Sequence, residues 1–231
     1  MVKHLRRMIV AALVLSSSLC ISASAQSTPQ TARQRLLSHF DGAVSGTAVF
    51  TKSSTGIVSD PAITSTTDPT LQKPYPLTTS ASNTAGALLT LRASKTPWIG
   101  LEANYGYARF SEKYNCCGLN GGLQTSVHEF TFGWLFKPQY DFHGTHPYAA
   151  VGAGTMAFRP TKNGGQGLQT QARAVYYYNV GVDAPVFGPN AGIRAGFRQL
   201  FYLAPDFGQN YIRAGSRTFT SEPTVGFYYH F

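Results

Sequence analysis

Charge is scarce in this 231-residue chain: Asp, Glu, Lys and Arg together make up 13% of it, roughly half the usual share of a globular domain. Cysteine is nearly absent, with three in all, and no Cys-x-x-Cys or Cys/His spacing of a zinc site occurs. Beyond the first 25 residues there is no apolar run long enough to cross a bilayer as a helix, and the mean hydropathy is −0.12; a helical membrane protein is excluded. The basic residues, though in surplus by +9, form no run, which speaks against nucleic acid as a partner. Aromatics are plentiful at 13%, and there are 23 glycines. A disordered chain would lack those rings, so the choice lies between a soluble all-β protein and a β-barrel in a membrane.

The first 25 residues read as a secretory signal. Lys3, Arg6 and Arg7 open it, Met8 to Leu15 form its apolar stretch, and Ala23-Ser24-Ala25 is a small-residue cleavage site. Its removal takes away those three bases and no acid, so the net charge falls from +9 to +6. Residues 26–40 form a polar leader, and 41–231 make one domain. Residues 53–83, rich in Ser, Thr and Pro, read as a long exposed loop, since proline cannot serve a central strand.

The remainder alternates between strand patterns and turn signals. Strands are predicted at 42–52, 84–93, 98–110, 124–137, 148–159, 171–184, 191–204 and 218–231. Connections are long at 53–83, 111–124, 160–171 and 205–217, and shorter at 94–97, 138–147 and 185–190. Eight strands whose connections alternate between long and short suit antiparallel crossings of a bilayer.

Parity within the strands separates two faces. Ile99, Leu101, Tyr105 and Tyr107 alternate with Gly100, Glu102, Asn104 and Gly106; Phe130, Phe132, Trp134 and Phe136 alternate with Glu129, Thr131, Gly133 and Leu135. A soluble sandwich would turn its large apolar face inward. Glycine weakens a solvated strand, but it fits the crowded inside of a narrow barrel. The same small-residue face carries Arg92, Arg173, Arg194 and Arg198 with Glu102, Glu129, Asp183 and Glu222. Equal and opposite charges in one enclosed space suit a paired lumen network, because isolated buried ions are costly. Arg109 falls on the apolar face; either the strand has left the membrane there or a bulge shifts its register. The expected fold is therefore all-β: a closed, eight-stranded, antiparallel up-and-down transmembrane barrel with a filled lumen.

The segments Pro147 to Gly154 and Gly192 to Arg198 resemble strands of the outer-membrane β-barrel family of the OmpA type, and the likeness covers nearly all of 41–231. The chain end Val225-Gly226-Phe227-Tyr228-Tyr229-His230-Phe231 is similar to that family's C-terminal assembly signal, carried here by Val225, Phe227, Tyr229 and Phe231. The resemblance implies an outer-membrane location, outer-membrane lipids and lipopolysaccharide as surroundings, the barrel-assembly machinery and periplasmic chaperones as partners in biogenesis, and a monomer. It implies no cofactor.

The expected function is structural or surface-interacting rather than enzymatic. Three alternatives remain open at this point: a lipid A-modifying enzyme, with Ser126, His128 and Glu112 as its catalytic groups, a narrow ion channel, and a soluble extracellular β-sandwich. His143-Gly144-Thr145-His146 with Asp141 reads as a polar turn rather than a metal site. Cys116-Cys117 allows a strained vicinal disulfide, an intermolecular bond or two thiols.

Overall fold

The computed structural model describes residues 36–58, 75–116, 119–209 and 213–231. The signal segment and Cys117 lie outside these residues, as do most of the leader and the centre of the 53–83 loop.

Among the described residues ten strands form: β1 (Phe40–Thr51), β2 (Ser54–Val58), β3 (Tyr75–Ala81), β4 (Thr84–Ser94), β5 (Ile99–Cys116), β6 (Leu119–Phe136), β7 (His146–Pro160), β8 (Gln171–Ala184), β9 (Ala191–Leu203) and β10 (Arg217–His230). Eight of them are staves. They run antiparallel in the order β1, β4, β5, β6, β7, β8, β9, β10, and β10 pairs back onto β1 through Gly42↔Tyr229 and Ser45↔Gly226. Closure leaves no open edge along these staves, which is the condition for a sheet to lie in hydrocarbon.

The outer face carries a belt of exposed rings and aliphatics: Leu91 on β4, Phe130, Phe132 and Trp134 on β6, Tyr176 on β8, Phe227 on β10. An apolar surface that runs around the whole barrel far exceeds the patches of a water-soluble monomer. The barrel is a transmembrane one, with its greasy side outward.

Two expectations from the sequence are corrected. The 53–83 segment is not all exposed loop: β2 and β3 form a hairpin, β3 extends the barrel wall by pairing with β5 over Thr78↔Asn115 to Ala81↔Glu112, and Leu77 is fully buried. Pro76 is tolerated because it lies before that pairing begins and costs the β5 ladder no donor. Likewise 111–124 is not a loop. The β5–β6 ladder runs without a bulge from Ile99↔Phe136 to Cys116↔Leu119. Both strands have 18 residues, where about 9–11 suffice to cross a bilayer. They therefore project well beyond it, and Arg109 stands on the part that has left the membrane, in unbroken register with Ser126.

The emerged part follows a different rule. Outside it bears Arg109, Lys113 and Gln124; inside it buries Phe110, Leu123, Val127, Met156, Phe158, Tyr202 and Phe207. The inner face was expected to hold only small and charged residues throughout. It turns apolar where the barrel meets water, because there an ordinary hydrophobic core again lowers the free energy.

Candidate functional site

The lower lumen, toward the short-turn end, is built in layers that begin with glycine. Gly133 and Gly152 face each other across β6 and β7, and the Tyr177 ring lies in the recess they leave: a Cβ on Gly152 would stand 2.7 Å from Tyr177 Cε1. Gly181 and Gly196 make the same recess for Tyr148, whose hydroxyl would be 2.5 Å from a Cβ on Gly181. Gly192 does so for Tyr228. Each ring in turn carries a guanidinium: Arg92 lies 3.9 Å from the Tyr148 centroid, Arg198 5.4 Å from Tyr177, and Arg194 5.2 Å from Tyr228. Cation–π contact of this kind offsets part of the hydration that a buried cation gives up.

Carboxylates complete the layer. Arg92 pairs with Glu102 at 2.7 Å and with Asp183 at 3.5 Å; Arg194 pairs with Asp183 at 2.7 Å and with Asp41 at 2.9 Å. Lys137 reaches Asp41 at 3.2 Å. Arg198 pairs with Glu129 at 2.5 Å and Glu222 at 3.0 Å. Polar neighbours fill the remaining lone pairs: Asn104 donates to Glu102 Oε1 at 3.0 Å and Thr131 to Glu129 Oε1 at 2.9 Å.

Seven of the eight residues expected in the lumen network are thus brought together. Arg173 is not among them. It points inward near the long-loop end of β8 and pairs with Asp206 at 2.9 Å, because the inner face at that height has already become apolar. Asp41 and Lys137 belong to the network and went unrecognised. Asp41 stands at the very start of β1 and Lys137 in a turn, so neither shows strand parity, and the balanced charges of the other residues gave no signal for them.

Above the ions lies the apolar plug. Two voids along this axis, one between Leu88 and Glu129 and one beside Glu112, measure about 20 Å³ each, room for about one water molecule apiece. Phe207 is 1% exposed and holds φ of 50°, an unusual backbone for a bulky residue. The segment 204–209 is clipped over the barrel end: Gln171 Oε1 accepts from the amides of Asp206 and Phe207 at 2.9 and 3.1 Å, and Gln171 Nε2 donates to Asp206 Oδ1 at 2.6 Å. Burial would raise the Asp206 carboxyl, but the bonds from Gln171 and the Gly208 amide, with the Arg173 charge, outweigh it and hold the group below the ordinary range. Glu112, by contrast, is buried among Phe110, Tyr202 and Thr79. Burial, with no compensating charge among the described residues, pushes its carboxyl up to about 8.

The groups considered for a lipid A enzyme do not converge. Ser126 and His128 face outward, while Glu112, on the same strand as Tyr105, faces inward; His128 Nδ1 shares a 2.9 Å hydrogen bond with the Tyr105 hydroxyl. His146 Nδ1 lies 2.7 Å from Asp141 Oδ1 in the 137–145 turn, and no cluster of three or more His, Cys, Asp or Glu that would hold a metal occurs among the described residues. Val225, Phe227, Tyr229 and Phe231 form one exposed, outward row at the end of the chain. Cys116 ends β5.

No protein-family model matches the sequence, and no curated protein matches it. Among solved structures, the outer membrane protein OprG from Pseudomonas aeruginosa superposes with a TM-score of 0.55 at 16% identity, over 83% of this chain and 95% of that one. The fold is that of the small outer-membrane β-barrels. Neisserial surface protein A (NspA) is also similar, with a TM-score of 0.49 at 12% identity over 82% of this chain and 97% of that one.

On this outer-membrane-type barrel the two ends differ in charge. The long-loop end exposes Lys52, Arg109, Lys113, Arg159, Arg213 and Arg217. The described acids at that end are Glu112, which is buried, and Asp206, which is paired with Arg173.

Proposed function

We propose that the chain is a non-enzymatic, monomeric outer-membrane protein with a sealed lumen, acting through its outer surface and long loops. The observation that carries this reading is the filling of the lumen by two successive layers, the Arg92–Glu102–Arg198–Glu129 ionic layer and the Phe110–Phe158–Phe207 plug. An eight-stranded barrel has room inside for its own side chains and little else. The divergence of Ser126, His128 and Glu112 supports a role without catalysis.

The basic rim matches the phosphates of lipopolysaccharide in the outer leaflet. Tyr176, Phe201 and Phe219 beneath it suit headgroup depth, where amphipathic and aromatic rings concentrate. The row Val225, Phe227, Tyr229 and Phe231 lies open on the surface, which suits its reading by the barrel-assembly machinery after delivery by periplasmic chaperones. Export by a cleaved signal at residues 1–25 belongs to the same proposal.

The test is conductance in planar bilayers. The protein, inserted and confirmed folded by its altered migration in unboiled detergent gels, is expected to give no sustained ionic current. Stable open steps would overturn the sealed lumen and favour a channel.

A further inference from the structure

The wall of the barrel has a notch at its long-loop end. Pairing between β8 and β9 stops at Val175↔Tyr202, whereas β8 continues against β7 to Gln171↔Phe158 and β9 continues to Leu203, opposite Arg217 of β10. Above Val175 the two neighbouring staves therefore separate. The gap is a cavity of about 390 Å³. Its outward wall is apolar, from Ala174, Tyr176, Phe201 and Leu203, and two guanidinium groups line it, Arg173 and Arg217.

The charges there do not balance. Asp206 is the single described carboxylate nearby, 2.9 Å from Arg173 and 4.0 Å from Arg213, against three arginines. Arg173 Nη2 is taken by Asp206, but its Nε, which little water reaches, has no hydrogen-bond partner among the described residues. Arg217 is exposed. A guanidinium with an unfilled Nε–H, beside a second, exposed one, matches an anion with several acceptor oxygens. The apolar wall faces the depth at which acyl chains end and headgroups begin.

We infer that the β8–β9 notch seats one phosphorylated, acylated lipid, its phosphate between Arg173 and Arg217 and a chain along Tyr176, Phe201 and Leu203. The inference rests on the rim reading above and sharpens it: a general attraction of the basic rim to lipopolysaccharide becomes a defined site. The Gln171 and Arg173 contacts to Asp206 serve a second purpose here, since they hold the notch open at fixed width while closing its floor toward the lumen.

The experiment uses the folded barrel in phosphatidylcholine nanodiscs, titrated with phosphorylated lipid A and with the same lipid stripped of phosphate, binding being read by native mass spectrometry. Wild type is expected to prefer the phosphorylated form by about tenfold or more, the worth of one to two charge-assisted hydrogen bonds. Arg173→Gln/Arg217→Gln should abolish that preference, and Arg217→Gln alone, at an exposed side chain, should reduce it. Lys95→Gln, at the opposite end, should keep it, and inorganic phosphate should not displace the lipid. Retained preference in the double variant, with loss in Arg109→Gln/Lys113→Gln, would overturn the notch and leave the rim. No preference in wild type would overturn both.

Discussion

Arg92 and Glu102 stand directly opposite each other across the β4–β5 ladder, and their side chains meet at 2.7 Å with neither exposed to solvent. The pair sits midway through an ionic chain that runs from Lys137 and Asp41 at the short-turn mouth to Glu102, with Arg198, Glu129 and Glu222 beyond. Its cations rest on tyrosine rings, and the rings rest in glycine recesses. Sequence, packing and electrostatics are therefore one construction here, and each layer can be removed separately.

Removing one partner of the pair leaves a charge stranded. Arg92→Ala is expected to destabilise the barrel by about 3–5 kcal/mol, whereas replacing both partners with Arg92→Met/Glu102→Leu should cost far less. Denaturant unfolding in detergent, followed by tryptophan fluorescence, measures both. A single truncation costing under about 1 kcal/mol would show that the pair is solvated rather than enclosed.

The glycine recess makes a prediction by parity. Gly152→Leu drives a side chain into the Tyr177 ring and the β6 backbone, where a Cβ alone would stand 2.3 Å from the Phe132 carbonyl oxygen, and should prevent refolding. Ala153→Leu, one residue on and facing lipid, should fold normally. Fractions of heat-modifiable protein after refolding distinguish the two; equal yields would contradict the inward assignment.

Glu112 sets a pH dependence. Its folded carboxyl titrates at about 8 against an ordinary value of 4.5, so between these values the folded state holds a proton that the unfolded chain has lost. Stability then falls as pH rises through this window and is unaffected by Glu112 below it. Glu112→Gln should raise the apparent unfolding temperature at pH 9 by several degrees or more, with little change at pH 4. A gain of the same size at both pH values would place the effect outside titration.

The eight staves were legible because lipid outside and a tight lumen inside impose one alternation over many residues: Phe130, Phe132 and Trp134 against Glu129, Thr131 and Gly133. Where the environment changes partway along a strand, the alternation reverses in meaning and the reading stops short. Beyond Tyr107 and His128 the outward positions become Arg109, Lys113 and Ser126, which look like a loop, yet the ladder persists to Cys116↔Leu119. The same reversal removed Arg173 from the lumen network. Asp41 and Lys137 escaped for another reason: they lie at a strand's first turn of pairing and in a turn, where no period marks a face. The β8–β9 notch depends on where two ladders end, which no local pattern records.

Which face of the sheet meets lipid separates a transmembrane barrel from a soluble one. Both tryptophans of the chain, Trp98 and Trp134, stand exposed on the outer surface, so their fluorescence reports it. In vesicles of brominated phosphatidylcholine, Trp98→Phe protein, which keeps Trp134 alone, should be strongly quenched relative to vesicles of ordinary lipid. Unchanged emission in the brominated vesicles, from protein that stays soluble in buffer, would place that ring in a water-shielded core and contradict the transmembrane barrel.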